Sequence, residues 1–555
     1  MIKALRLLYV LLFLSKTVSI AQVSPPLSDP LRIIQISHSD VLREKTIDSV
    51  TKLEILAGHV VVYEGSTKFN CDSAILNKNL NTLEAFGNVR INQGDSLFTS
   101  SQYLKYLSNT RIAYLKKNVR LTDRKGSLTT QELEYDLGLG LGKYVNGGTV
   151  INGRTILTSR EATYYEATKD VYFRKNVDLT DPKYKIKSDS LLYNMQTRIV
   201  TFTGPTNIKS KEATIFTTEG TYDLKNGSAF FGSRTLVKDS AGRTYQAARM
   251  ALDDKSGIAQ LEGNAIIKDS VDKIIITGNQ IFLNKKNNSF LATVKPVIVA
   301  WEGKDTTYIS ADTLFSGYTK RVINEDIIPE NNSLHNDSAK TNSTLKDSSN
   351  LLRLRKTEIV KPNKTDTSIR YFIAYHHVRI FNDSLQCVSD SLFYSGEDSV
   401  FRLFHDPVIW SGQNQISGDT IYIYTKNKKA NRLYVYEKGL MINKINNDLY
   451  NQISGKTING YFKDGAIDNM RVKGSPAESV YYVQDKDSAF TGMNRADGSV
   501  IDMLFLKDGL NKVKFINDVH GILYPMKQIP SEKKFLRNFN WLDKRRPKNK
   551  LELFE

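Results

Sequence analysis

From about residue 50 onward, apolar and polar residues alternate with a period of two, and sustained i, i+3, i+4, i+7 runs are almost absent. Successive side chains of a strand point to opposite faces, so this pattern predicts strands with one buried face. The alternation is organised in units. GHVVVY starts at Gly58, GNVRIN at Gly87, KNVRLT at Lys117, GGTVIN at Gly147 and KNVDLT at Lys175. GPTNIK (Gly204), SRTLVK (Ser233), GNAIIK (Gly263) and KPVIVA (Lys295) continue the series, with spacings of 28 to 32 residues. Each unit has a second half close to S-D-x-L-x-Y, as in SDSLLY (Ser188 to Tyr193) and SDSLFY (Ser389 to Tyr394). Its second, fourth and sixth places share parity, which puts them on one face of a strand. Leu104 with Tyr106, Leu133 with Tyr135, Leu191 with Tyr193, Ile281 with Leu283 and Leu392 with Tyr394 should therefore align on one side. A polar turn and a further apolar patch complete the unit.

One such unit cannot bury its own apolar face, so neighbours must stack to complete a core. The predicted fold class is all-β: an open twisted β-jellyroll or β-solenoid-like array of ~29-residue repeats. Gly or Asn at each unit start supplies the bend between sheets. About nine units fill residues 30–318. Residues 319–368 are polar, poor in aromatics and without period, and read as a disordered linker. A second, more divergent repeat region covers 369–525, and 526–555 form a basic, aromatic-containing C-terminal tail.

The first residues set the compartment. Lys3 and Arg6 precede the apolar run Leu7 to Leu14, and Ser19-Ile20-Ala21 is a small-x-small cleavage site. Residues 1–21 thus read as a secretory signal peptide. No later run approaches the ~18 apolar residues of a membrane-crossing helix. Cys71 and Cys387 are the two cysteines, too few for a disulfide framework. The formal net charge is +18, or 18 − 3 = +15 without Lys3, Arg6 and Lys16. A basic exported chain suits an acidic partner, such as an anionic lipid or glycan, and nucleic acid is not expected.

Catalytic motifs are absent from this reading: there is no HExxH and no GxSxG. LGLGLGKY (Leu137 to Tyr144) fails as a phosphate loop, because Leu137 replaces the first Gly and Tyr144 follows the Lys. His376 and His377 are adjacent, and on a strand they would face apart and could not chelate together. The recurrent Asp of the second half (Asp72, Asp189, Asp312, Asp390, Asp419) reads as a turn residue accepting backbone N–H groups. No catalytic residue, metal or cofactor is expected.

A signal peptide followed by ~29-residue β units of G-N-V-x-I and a-D-x-a-x-Y type resembles the OstA-like/LptA family, the β-jellyroll proteins of lipopolysaccharide transport. The family includes the periplasmic N-terminal part of LptD. The resemblance covers Gly58 to Tyr318 well and Tyr371 to Glu437 fairly. It implies a periplasmic, non-enzymatic lipid-binding protein of a Gram-negative bacterium, with outer-membrane association as a further expectation. Acyl chains of a lipid A-type molecule would lie in an apolar groove. Val89, Ile91, Val119, Leu121, Val177 and Leu179 would line it, together with the Leu/Tyr pairs named above. Exposed Lys and Arg near the mouth would meet phosphates. The implied partners are lipopolysaccharide or lipid A, inner- and outer-membrane transport proteins of the same β-jellyroll type, and further copies stacked head to tail. Two other classes stay open at this point. A carbohydrate-active β-helix enzyme would show coils of ~22–25 residues and clustered acids. A structural or adhesive exported repeat protein would carry an anchoring segment.

Overall fold

The computed structural model describes residues 33–319 and 368–554, except 49–50, 95–96, 124, 233–234, 304, 427–428, 447, 464–465 and 507–508. The expected signal peptide and nearly all of the polar linker lie outside the described residues. Those described form antiparallel strands almost throughout, and four short 3-10 turns follow Pro525. The expected all-β repeat array is what the chain forms, and its strands form an antiparallel meander rather than the parallel coils of a β-helix.

Each long strand is bent once, and the bend explains the unit starts. In the strand Lys52–Glu64, Leu53–Ala57 pair with Ser73–Asn77, while Val60–Glu64 pair with Thr67–Cys71. Gly58 and His59 thus stand opposite the single residue Asp72. This two-against-one mismatch is a β-bulge, which kinks the strand. Both bulge residues have positive φ, 77° and 43°. The same pair recurs at Gly87/Asn88, Lys117/Asn118, Lys175/Asn176 and Gly263/Asn264. Gly carries no penalty there and Asn little. At Gly87 a Cβ would also meet the Asp72 carboxylate at 2.3 Å. The G-N and K-N signatures are therefore corners that fold one strand into two arms.

The corner changes one expectation. Leu191 and Tyr193 face inward together, but Asp189 is exposed and Ser188 is buried instead. Alternation breaks at the corner, so the second place does not share a face with the fourth and sixth. The first place has its own task. The hydroxyls of Ser101, Thr130, Ser159, Ser188 and Thr217 each donate to the carbonyl two residues on, at 2.7–3.3 Å. They recur every 29 residues and pin the bend.

The recurrent Asp also differs from the sequence reading. Its carboxylate pairs with corner side chains: Asn88 Nδ2 donates to Asp72 at 2.9 Å, His377 lies 2.8 Å from Asp312 and His376 2.9 Å from Asp390. Its backbone N–H donates to a corner carbonyl, as from Asp312 to His376 O at 2.9 Å. His376 and His377 are themselves a positive-φ corner pair inside the strand Ile369–Phe381, where the alternation of faces is broken. Among the described residues no group of three or more His, Cys, Asp or Glu has metal-holding geometry.

One corner gives a titration test. His59 Nδ1 lies 2.8 Å from Asp40 Oδ2. The Asp40 hydrogen bond, then its charge, raises the His59 pKa above 6.5, and His59 lowers that of Asp40 below 3.8. The His59 contribution to stability is full below pH 6.5 and is lost as pH rises through its raised pKa. The Asp40 contribution is present above pH 3.8 and is lost as pH falls through its lowered pKa. NMR titration should place His59 above 6.5 in the native sequence, and Asp40→Asn should return it to about 6.5. An unchanged His59 in Asp40→Asn would contradict the pairing.

The chain divides into two compact units, Met1–Arg198 and Ile199–Glu555. The polar insert is not the division. Within unit two, Thr313–Thr319 pairs directly with Ile369–Tyr375, Thr319 opposite Ile369. The residues between them therefore join neighbouring strands, an insertion whose closure entropy grows only slowly with length.

Residues 526–554 are not a projecting tail. They run along unit two as a strap. Buried Leu536 joins Leu440, Ile442, Val480, Tyr482 and Met493 in one cluster, with Phe539 and Trp541 against it. Leu542 packs on Val388, Val408 and Trp410. Three buried glutamines hold the strap. Gln452 donates to Lys534 O (2.9 Å) and accepts from Leu536 N (2.8 Å). Gln415 donates to Asn540 O and accepts from Leu542 N, both at 2.7 Å. Gln386 accepts two bonds from the Arg546 guanidinium.

Candidate functional site

In unit one the two arms of each strand face one another across a single interior. Val89, Leu104, Tyr106, Leu179, Leu191 and Tyr193 lie in it with no exposed surface. Ile91, Val119, Leu121, Leu133, Tyr135 and Val177 are buried beside them. In unit two, Ile281 and Leu392 are buried, while Leu283 and Tyr394 are half-buried. Fourteen of the sixteen positions are thus buried, across the two units, and Leu283 and Tyr394 are half-buried. The interior of unit one is tightly filled. A void lined by Leu121, Asp123, Val150, Tyr164, Val171 and Met195 measures about 10 Å³, room for no more than a single water. An acyl chain therefore needs the arms to part.

The corners close one side of this interior, and polar links close the other. At the end of one arm stand Glu64, Gln93, Asp123, Asn152 and Asp181, spaced by 29 or 30 residues. Each bonds to the opposite arm or its turn. Tyr106 and Ser108 both donate to the buried Glu64. Gln93 Nε2 donates to Leu137 O at 3.2 Å, and Asn152 Nδ2 to Met195 O at 2.6 Å. Tyr164 donates to Asp123 at 3.5 Å, with Lys169 Nζ 4.0 Å from the same carboxylate. Thr155 and Arg198 donate to Asp181 at 2.8 and 2.9 Å. Lys169 and Arg198 are cations at the mouth, and Arg111 stands beside the Tyr106 phenol there. Burial, then the neighbouring carboxylates, push the Tyr106 and Tyr135 phenols well above their ordinary range. They therefore remain donors at any physiological pH. The Leu/Tyr column is legible in sequence; the closing column leaves only a polar residue of changing type every 29 or 30 positions.

Cys71 and Cys387 are both free and buried, and burial pushes the Cys71 thiol up to about 11. Neither is poised as a nucleophile.

The family model described as OstA-like protein matches residues 32–189. This stretch of the chain is similar to the OstA-like family. The match covers most of unit one and ends inside the SDSLLY motif, so it includes the closing residues from Glu64 to Asp181, while the partners Met195 and Arg198 lie beyond it. The crystal structure of LptH from Pseudomonas aeruginosa is titled the LptA homologous periplasmic component of the conserved lipopolysaccharide transport device. It aligns with 30% of this chain and 80% of its own, at 14% identity and a TM-score of 0.09. A TM-score this low carries nothing about shape, which rests on the strand pairings above. No curated protein matches the chain.

Proposed function

We propose that the protein is a periplasmic carrier of lipopolysaccharide export that shields acyl chains between the arms of its bent strands. The observation that supports this most is the apolar interior of the OstA-like stretch, continuous from rung to rung and shut at the mouth only by hydrogen bonds and ion pairs. Magnitudes favour opening by lipid. A twelve-carbon chain withdrawn from water is worth about 10 kcal/mol at ~0.8 kcal/mol per CH₂. A mouth hydrogen bond contributes about 1 kcal/mol. Interior side chains would exchange contacts with one another for contacts with the chain. Lys169 and Arg198 at the mouth would meet the head-group phosphates.

Strand addition would extend the interior to partners. Among the described residues, Gln35–His38 and Val41–Thr46 of unit one have one strand neighbour each, and so do Gly509–Ile516 and His520–Pro525 of unit two. Such edges accept a strand from another jellyroll protein or another copy. The antiparallel meander speaks against a β-helix enzyme. The test is to purify the mature protein from a lipopolysaccharide-producing bacterium, extract it and analyse the extract by mass spectrometry. Lipid A or lipopolysaccharide should be enriched in proportion to protein, and a lipid-free extract would sink the reading.

A further inference from the structure

The outward face of unit two carries a second surface, separate from the apolar interior. Ile421, Ile423, Leu433, Val435 and Ile458 point inward and are buried. Their alternates point out and form a row across six adjacent strands: Phe393, Arg402, Tyr422, Tyr434, Asn459 and Arg471, each directly paired with the next. At ~4.8 Å per strand the row is about 24 Å long. It is a plane of alternating rings and guanidinium groups. Arg402 lies over Phe393 and Tyr422 at 5.6 and 5.3 Å. Tyr436 packs on Tyr422 and Tyr434 at centroid distances of 4.8 and 4.5 Å.

Three arginines belong to this plane, and they are not equivalent. Arg402 is paired with Asp398, and Arg471 makes a two-bonded pair with Asp502 at 2.7 and 2.8 Å. Arg432 has no carboxylate partner among the described residues. Its guanidinium sits among Tyr424, Tyr434 and Tyr461 at 5.1, 5.4 and 5.8 Å, and its Nε donates to Asn459 Oδ1 at 2.7 Å. The rings surround the cation and leave its charge without a neutralising carboxylate.

We propose that this face binds a linear anionic glycan, a polysaccharide chain bearing carboxylate or phosphate groups, laid across the strands. Tyrosine rings offer flat apolar faces to the C–H faces of sugar rings, with hydroxyls at their rims for sugar hydroxyls. The spacing between strands is close to the length of one sugar residue. Arg432 supplies a planar, two-pronged donor for one acidic group. The charge density selects the partner class. A nucleic acid presents a dense row of phosphates and needs a matching row of free cations, whereas two of the three guanidinium groups here are already neutralised. A lipid bilayer would have to desolvate both ion pairs.

Affinity electrophoresis of the full mature protein tests this, with polygalacturonate in the gel as the anionic glycan and dextran as the neutral one. Polygalacturonate should retard the native protein and dextran should not. Arg432→Gln and Tyr434→Leu should each weaken the retardation about fivefold. Lys187→Gln, on unit one, should leave it unchanged. Should either face variant melt early, Tyr434→Phe keeps the ring without its hydroxyl and should bind less well than the native chain but better than Tyr434→Leu, while Arg432→Lys keeps the charge without the plane and should bind less well. The proposal is overturned if polygalacturonate causes no retardation, if Arg432→Gln binds as tightly as the native protein, or if a single-stranded oligonucleotide binds more tightly than the glycan.

Discussion

Ending the chain at Pro525 should destabilise unit two on the order of 5 kcal/mol. Leu536 is 2% exposed, and a fully buried leucine alone is worth about 1.5–3 kcal/mol. Phe539, Trp541 and Leu542 add part-buried area over Tyr450 and Trp410. Removing them uncovers Leu440, Ile442, Val480, Tyr482 and Met493, an apolar surface of the kind a monomer rarely exposes. Gln415 and Gln452 also lose the backbone groups they clamp, but water then reaches them, so the apolar loss dominates. The thermal midpoint of unit two should fall on the order of 10 °C, and binding of a hydrophobic dye should rise. Leu536→Ala should reproduce about 2–4 kcal/mol of this by itself. A truncated protein that melts with the native one and binds no additional dye would show that the strap does not hold unit two together.

The second large effect is expected at Glu64. Its carboxylate is 1% exposed and accepts from Tyr106 and Ser108. Glu64→Ala withdraws an acceptor from two buried donors, at about 1–3 kcal/mol each, so a loss of about 2–5 kcal/mol is expected by urea denaturation. Glu64→Gln keeps one oxygen acceptor and should lose less. A neutral Glu64→Ala would mean that the mouth of unit one is closed by packing alone.

The sequence and the structure agree where one period controls both. Val177, Leu179, Leu191 and Tyr193 stand out in sequence because a strand has a period of two and the rung a period near 29, and all four are buried inside. Asp189 went astray for a local reason: parity holds only along an unbroken strand, and the corner opposite Lys175 and Asn176 resets it. His376 and His377 depart from strand alternation for the same reason, since both sit in the left-handed region at a corner. The closing series from Glu64 to Asp181 was hidden because its members differ in type. They share only the ability to accept or donate across the mouth. The strap was not legible at all: nothing local in KKFLRNFNWLDKRR says that Gln386, Gln415 and Gln452, 160, 127 and 84 residues away, will bind it. For the strap the missing information was a set of contacts between distant residues rather than a local preference.

The most direct measurement is photo-crosslinking inside living cells of a lipopolysaccharide-producing bacterium. A photoreactive amino acid at Leu191 or Tyr193 reports on the interior of unit one, and the same group at Lys187 or Lys211 reports on exposed positions. The lipid-carrier account predicts lipopolysaccharide adducts at Leu191 and Tyr193 and none at Lys187 or Lys211. Folded protein that yields no lipid adduct at either interior position would contradict it.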